Sequence, residues 1–372
     1  MDYVKVGEIK IESNFKLLEI KDLLIHEYMN CHAYAEIVIH AESRRWNLLE
    51  HSLSSEPILI YFMKNKRKVL LFSGVVKNVN IKKGADYDII KIGAYSLSWL
   101  LDLEKKNRSF QMGKQTIVKI CEKIFRENEF ESFYNVCDRD ALRPFIQYKE
   151  TDWEFLKRIL SHLHAPLIPA IDYEGKGLYC GLRENFDIVK LIAERDIWCM
   201  DAEIIRNLSW KSYDAVFYRI VTNQIVHLGQ KVEYKNEFWW IYEVNMILKN
   251  GLLQCEYKLV KKEYDSFSSY YNLQLEKLSL PGTVLERNGE TIKIHLDIDE
   301  NQNLDNAYSY FWLPEYGNLL YCMPEIGGRV YLKIPKEDER EAFGIHCTCE
   351  KNIKHGEIKK PDFRYFLTKE QK

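Results

Sequence analysis

Two hydrophobic rhythms divide the chain. In residues 1–104, apolar and polar positions alternate in short runs from Val4 to Ile11, His32 to His40, Ile58 to Phe62, Val69 to Val79 and Tyr87 to Ile92. Such alternation sends one face of each run into a core and predicts successive strands. The run Leu71-Phe72-Ser73-Gly74-Val75-Val76 passes through a glycine, where a barrel strand can bend or bulge. The rhythm returns between 201 and 275, at Tyr218 to Val221 and Trp239 to Ile247. From about 279 to 348, Asn288-Gly289 predicts a hairpin, and Ile292, Ile294, Leu296 and Ile298 alternate as the wall of a small barrel.

Between these stretches the spacing becomes helical. Ile117, Ile120, Cys121, Ile124 and Phe125 share one face of a helix that follows a basic turn, Lys105 to Arg108. A second helix starts at Thr151, whose hydroxyl forms a capping box with Glu154. Trp153, Leu156, Ile159, Leu160 and Leu163 give it an apolar face, and Pro166 is predicted to stop it. A hairpin from Leu167 to Cys180 then turns through Glu174-Gly175-Lys176-Gly177. The fold class is therefore mainly β with an α+β insert. The expected segments are 1–104, 105–200, 201–275, 279–348 and a charged tail, 349–372. An internal echo sets Val79-Asn80-Ile81-Lys82-Lys83-Gly84 before Tyr87 against Met246-Ile247-Leu248-Lys249-Asn250-Gly251 before Tyr257, with apolar parity and the turn glycine both kept.

Composition narrows the classes. The 372 residues, at roughly 150 per domain, suggest two to four domains. The 53 basic and 55 acidic side chains nearly cancel, so no net field attracts nucleic acid or an anionic membrane. The strongest apolar runs fall short of the roughly 20 residues a membrane helix needs. Charged residues at Asp2, Lys5, Glu8, Lys10 and Glu12 interrupt any signal-peptide core. Nine cysteines, an odd number, suit free thiols and synthesis in a reducing cytoplasm.

Candidate chemistry is sparse. His346, Cys347, Cys349 and His355 carry metal-ligand types, but the Cys-x-Cys spacing closes a tetrahedral zinc site poorly. His162 and His164 lie two apart at a helix end, where a solvent-facing role is expected. A glycosidase needs two carboxylates at a defined separation. Asp297, Asp299 and Glu337-Asp338-Glu339 instead read as solvated charge at turns and strand ends. Nucleophile elbows and phosphate-binding glycine loops are absent, so no enzyme and no cofactor is expected. Tyr308, Tyr310, Phe311, Trp312 and Tyr316 cluster without an accompanying basic groove, which favours packing against neighbouring subunits over base stacking.

The entry to the second helix carries more specific information. Gln147, Tyr148, Glu150, Thr151, Asp152, Phe155, Leu156 and Arg158 match the pattern Gln-Tyr-x-Glu-Thr/Ser-Asp-x-x-Phe-Leu-x-Arg, with Trp153 inside it. This resembles a signature of VgrG (valine-glycine repeat protein G) proteins and the hubs of contractile phage tails. Phe72, Gly74 and Val76 are similar to the family's Phe-x-Gly-x-Val in its first domain. Pro324, Gly327 and Val330 resemble the Pro-x-x-Gly-x-x-Val of its oligonucleotide/oligosaccharide-binding (OB) barrel.

The resemblance implies two tube-like β-barrels, a mixed α/β domain and a C-terminal OB-fold barrel. It implies that the motif residues are architectural, in a structural baseplate hub of a phage tail, tailocin or secretion device. Such a hub is a homotrimer that presents six barrels to a sixfold tail tube or tube initiator and passes threefold symmetry to a spike, among baseplate wedge proteins. It is made in the bacterial cytoplasm and incorporated into the particle. Alternative readings are a hub-associated peptidoglycan hydrolase and a glycan- or nucleic-acid-binding OB module. The sequence reaches Lys360-Pro361-Asp362 and stops near the point where a fused spike would begin, which implies either a separate spike or tip protein or a truncated chain. Residues from about 350 to 372 are expected to gain order on contact with it.

Overall fold

The computed structural model describes residues 3–12, 19–41, 57–64, 66–84, 87–111, 115–141, 143–184, 186–200, 216–261, 269–313 and 323–348. The chain divides into two compact units, Met1–Gln274 and Leu275–Lys372.

The first unit begins with β1 (Ile9–Glu12), β2 (Glu19–Tyr28), β3 (Tyr34–Ala41), β4 (Pro57–Lys64), β5 (Arg67–Lys82), β6 (Asp88–Ser96) and β7 (Lys105–Phe110). Then come α1 (Ile117–Glu127), β8 (Glu131–Asn135), β9 (Phe145–Thr151), α2 (Asp152–Ser161), β10 (Leu167–Pro169) and β11 (Gly177–Gly181). It continues with β12 (Val189–Lys190), β13 (Arg195–Met200), β14 (Val216–Thr222), β15 (Lys231–Tyr234), β16 (Glu237–Lys249) and β17 (Leu252–Val260).

One twelve-stranded sheet dominates the unit, and its order reveals a duplication. Strands β2 to β6 lie in the order β4-β5-β6-β3-β2, and β13 to β17 lie in the order β15-β16-β17-β14-β13. Every pairing within both sets is antiparallel. Even the bulges correspond: β5·β6 slips between Val76 and Asn78, and β16·β17 slips between Ile241 and Glu243. Aligned on that bulge, Val79 is the counterpart of Val244, so the echo in the sequence is out of register by two residues. A slip of two keeps every side chain on its own face, which is why parity alone could not expose it. The two copies join through β2·β16, from Tyr28 opposite Glu243 to Leu24 opposite Ile247. The segments at 1–104 and 201–275 thus share one sheet, and Val189–Met200 enters it as β12 and β13.

Alternation is realised as burial. Leu23, Ile25, Ala35, Ile37, Ile39, Ile90, Ile92, Val244, Met246 and Cys255 all face one core. Gly74 is required where β5 crosses β6, because a Cβ there would stand 2.2 Å from the Tyr95 carbonyl oxygen.

A second core is formed by α1, α2 and their neighbouring strands, with Ile120, Ile124, Phe155, Leu156, Ile159 and Leu160 fully buried. The residues read as a basic turn form β7, which pairs with β9 and points Lys106 and Arg108 at a common partner. Helix α2 ends at Ser161, earlier than Pro166 would require. His164 takes a φ of +55°, its N–H reaches the Ser161 carbonyl at 3.0 Å, and the Ala165 N–H reaches that of Leu160 at 3.1 Å. This Schellman cap satisfies the last carbonyls before the proline is reached. His162 packs against Phe145 and Tyr271 rather than facing solvent alone.

The second unit contains β18 (Ser279–Asn288), β19 (Thr291–Leu296), β20 (Ser309–Phe311), β21 (Arg329–Lys333) and β22 (Phe343–Thr348), ordered β20-β19-β18-β21-β22. A parallel bridge between Trp312 and Gly344, with the Leu313 N–H on the Gly344 carbonyl at 2.9 Å, closes this sheet into a five-stranded barrel. That is the OB arrangement.

Several sequence expectations for this unit are corrected. Positive φ in the hairpin belongs to Gly289, the first of two loop residues between the paired Asn288 and Thr291. Ile298 lies beyond the end of β19. Tyr310 and Trp312 fill the barrel's own core because alternate β20 positions point inward, while Phe311 is exposed. Glu339 is buried rather than solvated, whereas Asp297 is exposed in the turn after β19 as its position suggests, ion-paired with Arg329, whose guanidinium keeps its carboxyl below the usual range.

Candidate functional site

The strand-to-helix corner at β9 and α2 gathers most of the singled-out residues. Thr151 accepts the Glu154 N–H at 3.1 Å and the Glu154 carboxylate accepts the Thr151 N–H at 2.9 Å, so the capping box forms as the spacing predicts. The Thr151 hydroxyl also donates to Asp102 at 2.5 Å. Asp102 in turn faces His32, whose other ring nitrogen lies 2.8 Å from the Ser98 hydroxyl. The His32 ring packs at a tilt of 37° against Trp153, with centroids 4.2 Å apart. Helix α2 is thereby tied to the loop between β2 and β3.

Asp152 is the centre of a denser node. Its oxygens accept from Lys106 at 2.5 Å, Arg108 at 2.8 Å, Gln147 at 3.0 Å and Asn128 at 3.0 Å. Burial alone would raise its pKa, but the Lys106 and Gln147 bonds and the Arg108 charge hold the carboxyl below its usual range. Gln147, fully buried, also donates to the Glu150 carbonyl at 3.1 Å and accepts from Arg108 at 2.7 Å. On the other side of the helix Arg158 grips Glu150 through two bonds of 2.8 Å and reaches the Ile146 carbonyl at 2.9 Å. The Tyr148 carbonyl accepts from Asn272 at 2.9 Å, and Phe155 and Leu156 are buried below.

Sequence reasoning missed Lys106, Arg108, Asn128, Asp102 and His32. The alternation of Lys106 and Arg108 along a strand was the available signal. The second motif lies in the other unit. Gly327, with φ +78°, occupies the third position of a turn closed by the Gly328 N–H on the Glu325 carbonyl. This is where a type II turn needs glycine. Pro324 and Val330 are buried beside it.

A further polar cluster is buried in the first unit. Glu27 on β2 lies 3.6 Å from His227, and Arg183 ion-pairs with Asp172. Neither Glu27 oxygen has a hydrogen-bond partner, nor do two of the Arg183 nitrogens. The Arg183 guanidinium is instead covered by the Tyr179 and Phe186 rings at 4.3 and 4.6 Å. No group of three or more His, Cys, Asp or Glu is placed to hold a metal among the described residues. Cys349 and His355 lie outside those residues, as do Tyr316 and the tail. No helix among the described residues is long and apolar enough to cross a membrane.

Residues 42–163 match the family model described as phage tail baseplate hub (GPD). This span includes the whole strand-to-helix motif. The chain has the fold of a VgrG-like baseplate hub. It is similar to the E. coli c3393 protein, a type VI secretion system component with structural similarity to the T4 tail proteins gp27 and gp5. The TM-score is 0.61 at 14% identity, covering 90% of this chain and 98% of that one. The VgrG-like fold extends to the half-lidded Francisella PdpA-VgrG complex, with TM-score 0.61, 11% identity and coverage of 93% and 78%. A tail protein from Neisseria meningitidis MC58 matches at TM-score 0.53 and 11% identity, over 70% and 98%. No curated protein matches the chain.

Proposed function

We propose that this chain is the structural hub of a contractile injection machine, a trimeric adaptor between a sixfold tail tube and a threefold spike. The duplicated five-strand unit carries this reading. Three chains, each with two equivalent units, present six similar surfaces to a tube while the assembly itself stays threefold. The OB barrel in each chain then stands in threefold register for a spike or tip protein. The polar node around Asp152 has an architectural role: its carboxylate is saturated by cations and amides, leaving no lone pair or proton for chemistry on a substrate. The proposed partners are the tube or its initiator, baseplate wedge proteins and a spike.

Images of the intact particle test the adaptor directly. Three copies per baseplate are expected, and any other number overturns it. The competing hydrolase reading predicts a lytic zone on peptidoglycan from the purified chain, lost on one carboxylate substitution. The hub reading predicts no zone.

A further inference from the structure

The internal duplication specifies how one copy of the chain meets the next. Inside the chain, β2 of the first five-strand copy pairs with the distal half of β16 in the second copy, both within Met1–Gln274. In the duplicate, the strand equivalent to β2 is β13, and the strand equivalent to β16 is β5. Among the described residues β13 ends the sheet, paired only with β14. Strand β4 covers β5 from Arg67 to Val75, and among the described residues no strand pairs with Val76–Lys82 on that side, as β15 leaves Glu243–Ile247 open for β2. Among the described residues, each chain therefore carries one filled joint and both halves of an unfilled one.

The exposed side chains fit this relation. Both faces of β13 are bare, with Ile197 63%, Trp198 57% and Met200 55% exposed. An apolar edge strand of that kind is a template for pairing with another chain. Ile81, on the open half of β5, is 42% exposed. Transferring the β2·β16 register through the two hairpins places Trp198 opposite Ile81 and Cys199 opposite Asn80. The corresponding partners inside the chain are Ile25 with Met246, both fully buried, and His26 with Asn245, bonded at 2.7 Å.

We infer that β13 of one copy adds antiparallel to residues Val79–Lys82 of β5 in a second copy, with Trp198 against Ile81. The inference rests on the trimeric hub reading and deepens it by naming the joint. The contact is head-to-tail, so it repeats around a ring rather than closing as a two-fold pair.

Cysteine crosslinking of the full chain in a Cys199→Ser background tests it, read on non-reducing gels beside native mass spectrometry. Trp198→Cys with Ile81→Cys should give covalent dimers and trimers, absent from either single variant. Trp198→Cys with Lys82→Cys, whose side chain stands on the opposite face, should not. Trp198→Asp should abolish the trimer while leaving the circular dichroism and melting of the monomer unchanged. A trimer by mass with no Trp198–Ile81 crosslink overturns this joint and leaves the hub reading standing. Monomers or two-fold dimers only, at every concentration, overturn both.

Discussion

The Arg158 guanidinium spans both oxygens of the Glu150 carboxylate, at 2.8 Å each, across the corner where β9 becomes α2. Both side chains are buried. A pair of this kind contributes little over an apolar substitute, yet removing one partner strands the other charge. Glu150→Ala should therefore destabilise the first unit by about 3–5 kcal/mol, seen as a lower urea midpoint. A loss below about 1 kcal/mol would mean that Arg158 finds another acceptor.

Trp153 fills the space between His32 and the second core. Trp153→Ala removes that aromatic surface and leaves a cavity, costing about 3–5 kcal/mol. Equal melting temperatures for variant and wild type would contradict its burial.

His32 and Asp152 make the first unit acid-sensitive in two stages. Burial lowers the His32 pKa below its ordinary 6.5, against the raising influence of Asp102. The unfolded chain then takes up a proton before the folded one does, so this contribution is complete above pH 6.5 and is lost as pH falls through the folded value. Asp152, also depressed in the fold, contributes above its ordinary 3.8 and loses that contribution at lower pH. Melting temperature should fall between pH 7 and 5 in wild type, and the slope should flatten in His32→Asn. An unchanged slope would remove His32 from the account.

Gly74→Ala should cost about 1–3 kcal/mol, since the new methyl meets the Tyr95 backbone carbonyl rather than a movable side chain. Gly251→Ala is a useful contrast. Its φ of +75° strains any L residue, but the nearest side-chain atom is 3.7 Å away, so the cost is conformational rather than steric. Differential scanning calorimetry of the two variants separates the cases by comparing Ala with Asn, which tolerates positive φ. Asn should rescue position 251 and fail at 74.

Much of this was legible along the chain because it is local. The capping box at Thr151 and Glu154 is a three-residue relationship, and the apolar stripe of α1 repeats within a few turns. The partners of Asp152 were hidden because Lys106 and Arg108 reach it through strand pairing across more than forty positions. The shared sheet was hidden for the same reason: nothing in the alternation of β2 names β16 as its neighbour. Likewise, Tyr310 and Trp312 read as surface aromatics until the bridge at Gly344 curls β20 into a barrel.

That pairing of β2 with β16 also sets an order of events during synthesis. More than half of the chain must leave the ribosome after Tyr28 before Glu243 appears, a delay on the order of ten seconds or more at bacterial elongation rates. Throughout that interval β2 is the open margin of a growing sheet. On the core side of β2, in line with Leu23 and Ile25, stands the carboxyl group of Glu27. An inward-pointing charge discourages a temporary edge from recruiting a foreign strand. In the finished fold β16 covers that edge, and the Glu27 carboxyl is left buried, 3.6 Å from the His227 ring.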